Sequence, residues 1–126
     1  MRTLSEAASR KDRDEKYRGE LTIALEPGPS DYGSRTLQIE GQIDYYNASY
    51  FEETVADLLV PGVTRLVLSC PDLRYVSWAG IVAFLRISLI LRRRGGELVL
   101  DSLYPPVLAM FRMLGVEGSF TVRPRS

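Results

Sequence analysis

From residue 20 onward the chain alternates between two hydrophobic periods, and this alternation restricts the fold more than any other feature. Residues 20–26 (ELTIALE) set Leu21, Ile23 and Leu25 on one side and Thr22 and Glu26 on the other. Residues 36–44 (TLQIEGQID) repeat the pattern, with Leu37, Ile39 and Ile43 opposed to Gln38, Glu40 and Gln42. A period of two is that of a half-buried strand. The Pro- and Gly-containing stretch 27–34 between the two runs predicts an antiparallel hairpin. At Asn47 the period becomes helical: Ala48, Phe51, Val55, Leu58 and Leu59 share a face, Glu52, Glu53 and Asp57 fall away from it, and Pro61-Gly62 stops the run. Asn47 or Ser49 is placed to cap this helix, and Ser49 with Glu52 has capping-box spacing.

The alternation continues. Residues 64–70 (TRLVLSC) are apolar on both faces and predict a central strand. Residues 80–96 predict a second helix, closed by Arg92, Arg93, Arg94 and a Gly pair. The arginines read first as a solvated helix end and second as a contact for a phosphate or an acidic partner. Residues 97–102 (ELVLDS) predict a fourth strand, 105–115 a third helix opened by Pro and ended by Gly, and 119–122 (SFTV) a last strand. Strands separated by helices cross over right-handedly and lie parallel. The order ββαβαβαβ therefore predicts an α/β fold, a small mixed sheet packed with amphipathic helices. Residues 1–19 mix both charge signs without an apolar face and are expected to be a flexible tail, leaving 20–126 as one domain.

Composition narrows the function by what it lacks. With no histidine, the usual general base and the commonest metal ligand are missing. The single cysteine, Cys70, allows neither an intrachain disulfide nor a thiolate cage and reads as a core residue, which fits a reducing, cytoplasmic setting. Sixteen basic and sixteen acidic residues cancel, so bulk charge points to neither nucleic acid nor an anionic membrane, and no apolar run is long enough to insert into one. Asp44, Asp72 and Asp101 each follow a strand, where carboxylates either gather Mg²⁺ or fix turns; turn chemistry is the expectation, with no metal and no cofactor. No Gly-rich phosphate loop is present. The expected chain is not an enzyme.

Three stretches carry a resemblance. GQIDYYNA matches a Gly-x-Leu/Ile-Asp motif at Gly41, Ile43 and Asp44. LVLSCPDLRYVSWAGIVAFLRI matches a strand, a turn and a Gly-led helix, and RRRGGELVLDSLYPPVLAMFRMLGVEGSF matches a run of the form RGGELVLVN-PPV-ML-LTGL-F. In this order they resemble the STAS domain of bacterial anti-sigma-factor antagonists, over about residues 36–120.

The resemblance implies a protein-binding module whose partner is an anti-sigma factor that is also a serine kinase, or another signalling protein. In phosphorylatable members the turn reads Asp-Ser-Ser-Gly, and the serine before the glycine takes the phosphate. Aligned on Gly80, that position is Ala79, preceded by Trp78 and Ser77. Alanine has no oxygen to phosphorylate, so the usual off-switch is expected to be absent. Ser77 reads first as a helix cap and second as a substitute phosphoacceptor. The expected binding surface combines Asp44, Tyr45 and Tyr46 with Ser77, Trp78, Ala79 and Gly80 and the exposed side of the second helix, and Tyr50 is a candidate neighbour in an aromatic patch. Trp78 itself has two readings, interface anchor or local core. The alternative role is a STAS-type accessory subunit of an ABC transporter or larger signalling assembly. A homodimer is left open.

Overall fold

The computed structural model describes residues 2–3, 19–26 and 33–124. Its six strands lie in chain order across one sheet: β1 (Arg2–Thr3), β2 (Leu21–Leu25), β3 (Ser34–Ile43), β4 (Arg65–Val76), β5 (Glu97–Asp101) and β6 (Thr121–Arg123). Helix α1 (Ala48–Ala56) connects β3 to β4, α2 (Trp78–Arg93) connects β4 to β5, and α3 (Pro105–Met113) leads toward β6. The pairs β1–β2 and β2–β3 are antiparallel, and the remaining three are parallel. The predicted hairpin and parallel crossovers are both present in this mixed α/β fold.

Three crossovers of one hand, stepping in one direction, put all three helices on the same face. There the core forms: Ile23, Leu37, Ile39, Leu66, Leu68, Leu98 and Leu100 from the sheet meet Phe51, Val55, Phe84, Ile87, Leu91, Val107 and Phe111 from the helices. On the opposite face Val67 and Val99 are register partners and are also buried, which is why β4 reads as apolar on both sides.

Several expectations need correcting. The third strand does not end at Cys70 but runs to Val76 across Pro71. Proline is tolerated because β4 bulges there: Gln38 pairs with Ser69 but Glu40 with Asp72, and a second shift follows between Gly41 and Gln42. Pairing with β5 has already stopped at Ser69–Asp101. The second helix starts two residues before Gly80, at Trp78. A 3₁₀ turn (Glu117–Ser119) occupies the start of the predicted last strand. Arg2 and Thr3, read as part of the tail, pair with Leu25 and Ala24. The rest of that stretch from residue 4 to 18, and the hairpin turn at 27–32, lie outside the described residues.

The arginines that close α2 do more than face solvent. Arg92 donates to the Gly118 carbonyl at 3.0 Å, and Arg94 donates to those of Val60 (3.1 Å) and Val63 (3.0 Å), tying down the α1–β4 connection.

Ser102, just past β5, holds φ +61°, a left-handed conformation that costs a side chain roughly 1–2 kcal/mol. Its N–H donates to the Arg123 carbonyl at 3.0 Å, a bond that glycine would keep. Ser102→Gly is therefore expected to stabilise the domain by about 0.5–1 kcal/mol in a urea titration. A loss of stability would show that the hydroxyl, not the backbone, matters at that position.

Candidate functional site

The site grows from the C-terminal ends of β3 and β4, where Ile43 and Val76 are register partners. After Ile43 the chain makes one tight turn before α1. Asp44 Oδ1 accepts from the N–H of Tyr46 (2.8 Å) and of Asn47 (2.9 Å), while Asn47 Oδ1 accepts from the N–H of Asp44 at 2.8 Å. Asn47 Nδ2 also donates to the Gln42 carbonyl at 3.0 Å. This reciprocal pair is a capping box shifted upstream of the helix. The expected caps differ: Asn47 does not cap from the Ncap position, and Glu52 pairs with Arg86 rather than with Ser49. Asn47 is fully buried, so its hydrogen bonds fix the turn from inside. The turn pushes Tyr45 and Tyr46 into solvent, 78% and 71% exposed, with their rings edge-to-face at 5.6 Å.

The second turn is stitched to the first. Ser77 N–H donates to the Ile43 carbonyl at 2.7 Å. Its hydroxyl accepts from the Gly80 N–H at 3.2 Å, making Ser77 the cap of α2. Gly80 is buried, and a methyl group there would come within 2.8 Å of both Ile43 Cγ2 and Val76 Cγ1. With no side chain it lets α2 sit down on the strand ends. Trp78, between these two, is 60% exposed, so of its two readings the local-core one is set aside.

The two turns share a groove of about 400 Å³ between α1 and α2, lined by Tyr45, Ala48, Ser49, Glu52, Ala79, Val82 and Arg86. Its apolar lining is small, and Arg86 bridges to Glu52 across it at 3.3 Å. Ala79 lines this groove with no polar atom on its side chain. Tyr50 is half-buried against the core, away from the exposed tyrosines. Sequence reasoning missed Tyr75, 49% exposed on the bulged end of β4, and the Glu52–Arg86 pair. A single arginine interrupting the apolar run 81–91 was the available signal for the latter.

The remaining acids are engaged elsewhere. Asp72 pairs with Arg74 and Asp101 with Arg123, each at 3.5 Å. Arg74 also lies over the Tyr104 ring, 4.7 Å from its centroid. Among the described residues no cluster of carboxylate and thiol groups could hold a metal ion, and no helix is long and apolar enough to cross a membrane. Burial, reinforced by the Asp101 charge, pushes the Cys70 thiol far up, which keeps it protonated and unreactive in the core.

Residues 29–126 match the family model for the STAS domain. The chain belongs to the STAS domain family. A protein of Bordetella bronchiseptica named "Putative anti-sigma factor antagonist BtrV" is 34% identical over 84 residues, which are 67% of this chain and 72% of that one. Among solved structures, an anti-sigma factor antagonist from Mycobacterium paratuberculosis superimposes with a TM-score of 0.67 at 16% identity, covering 82% of this chain and 86% of that one. The unphosphorylated form of the anti-sigma factor antagonist SpoIIAA gives 0.66 at 14%, covering 81% and 90%. At these identities the structures speak for the fold. Within the STAS fold, Gly41, Asp44 and Gly80 shape the backbone of the two turns, Tyr45, Tyr46 and Trp78 are the exposed side chains beside them, and Ala79 is half-buried.

Proposed function

We propose that this STAS domain is a non-catalytic regulatory module that docks onto an anti-sigma-factor-type protein through the two turns at the ends of β3 and β4. Ala79, which lines the groove with exposed Tyr45 and follows exposed Trp78 in the chain, is the observation that carries this reading. Exposed aromatics supply most of the energy at the centre of a protein interface. A phosphoserine in its place would set up to two negative charges among them, where desolvation and repulsion break a contact. With a methyl group instead, the surface has no such brake, and binding is constitutive toward a partner kinase. In this reading Ser77 serves as the α2 cap, its hydroxyl oxygen accepting from the Gly80 N–H, and is not the phosphoacceptor.

The test mixes the chain with an ATP-binding anti-sigma factor from the same genome, with and without Mg-ATP, and measures affinity by calorimetry and phosphate by mass spectrometry. The wild type should bind equally in both conditions and take up no phosphate. Ala79→Ser, a small change at a half-buried position, should become phosphorylated and then bind at least about tenfold more weakly. Phosphate on Ser77 of the wild type, or co-purification with a transporter ATPase in place of an anti-sigma factor, would overturn the reading.

A further inference from the structure

A surface helix ordinarily turns its polar side to water. Helix α2 does not. Its buried face presents Ile81, Phe84, Ile87, Ser88 and Leu91 to the sheet and its neighbours. At 100° per residue, Trp78, Val82, Leu85 and Leu89 fall within about 60° of one another on the outward part of the helix, Leu85 also packing in part against the core. Trp78 is 60% and Leu89 48% exposed, with Val82 and Leu85 half-buried between them. The stripe is continuous with the α1–α2 groove through Val82 and Arg86.

The charges on α2 are one-sided. It carries Arg86, Arg92 and Arg93 and no acidic residue. A second copy laid against the stripe would bring together two helices whose charges are all positive, which repel within a Debye length. An anionic bilayer is also a poor fit, because Glu52, Glu53 and Asp57 stand on the neighbouring α1 and the chain has no net charge.

We infer that the α2 stripe receives an amphipathic helix of the partner protein, with apolar residues on successive turns and carboxylates placed to meet the Arg92–Arg93 end, Arg86 being already paired with Glu52. This rests on the docking function proposed above and names the chemistry of the partner element. The spacing of Trp78, Val82, Leu85 and Leu89 suits i, i+3, i+4, i+7 anchors from a facing helix.

Trp78 is the only tryptophan of the chain, so its emission reports on the stripe directly. The probes are a synthetic helical peptide with leucine at heptad positions a and d and glutamate on its flanks, and its counterpart with lysine for glutamate. The glutamate peptide should shift Trp78 emission to the blue, saturably and less tightly at high salt. Leu89→Glu should weaken it at least about tenfold while leaving the far-ultraviolet circular dichroism unchanged. Leu89→Gln serves as a second variant, with a smaller loss. Equal binding of the lysine peptide, no shift with the glutamate peptide, a shift on phosphatidylserine vesicles alone, or a dimer forming through the stripe would each overturn the inference. The two proposals fail separately. An anti-sigma factor that binds Leu89→Glu as tightly as wild type sinks this one and leaves the docking function standing. Peptide binding without any anti-sigma partner does the reverse.

Discussion

Gly41→Ala is expected to lower the melting temperature by roughly 10–20 °C, the equivalent of at least about 3–4 kcal/mol for a domain of this size. Gly41 holds φ +99°, in the region that L side chains rarely enter. A methyl group there would sit 1.6 Å from the Glu20 carbonyl oxygen and 2.8 Å from its carbon. Both obstacles are backbone, so no side-chain rotation relieves them. Glu20 cannot simply back away, because its carbonyl accepts from the Gln42 N–H at 3.1 Å where β2 meets β3. Natural domains hold only about 5–15 kcal/mol in reserve, so the loss takes a large share of it. Thermal melts by circular dichroism decide: a change under a few degrees would mean that β2 and β3 separate more cheaply than this close approach implies. The substitution also reaches the site, since Gly41 lies two residues before Ile43, whose carbonyl anchors Ser77.

That glycine illustrates what could be read from sequence and what could not. The periods of two and 3.6 placed β2, β3, α1 and α3 because each has one clear core face, while α2 and β5 were placed by apolar runs that end in arginines and turn residues. β4 was cut short at Cys70 because Pro71 breaks a regular ladder. Only the register against β3 shows a bulge that absorbs it. The 3₁₀ turn after α3 is set by tertiary contacts, among them Ser88 Oγ donating to the Ser119 carbonyl at 2.6 Å across 31 residues.

At the site, the identity of an absent group was legible and the direction of a present one was not. Ala79 has no hydroxyl whatever the fold does with it. Trp78 had two readings because its exposure depends on how closely Gly80 lets α2 approach Ile43 and Val76, and no local pattern encodes that distance. Asp44 invited a partner-facing role by its place in the motif. Two backbone N–H groups already occupy its Oδ1, and that pairing needs a buried Asn47 that looked like an ordinary cap. The outward stripe of α2 was visible as an excess of apolar residues, but an excess alone does not say which of them stay in water.

Phe84→Ala should be as damaging as Gly41→Ala, and by the opposite route: a cavity in place of a clash. Phe84 is fully buried at the hub of a ring cluster, with centroids 5.2 Å from Phe51, 5.9 Å from Phe111 and 6.3 Å from Phe120. Those three residues belong to α1, α3 and the approach to β6, so one side chain joins α2 to every neighbour on its face of the sheet. Removing a buried phenylalanine costs about 3–5 kcal/mol, and the lost edge-to-face pairs push the value toward the upper end. Phe84→Leu fills much of the space and should recover most of the loss. In urea titrations the alanine variant should show a lower midpoint, and the leucine variant should lie between it and wild type. The groove supplies a second readout. Because Phe51 and Phe84 set the spacing of α1 and α2, partner affinity measured below the unfolding transition should fall for Phe84→Ala, although Phe84 touches no solvent. Full affinity in the folded alanine variant would place the binding energy in the two turns alone, independent of how the helices beneath them are spaced.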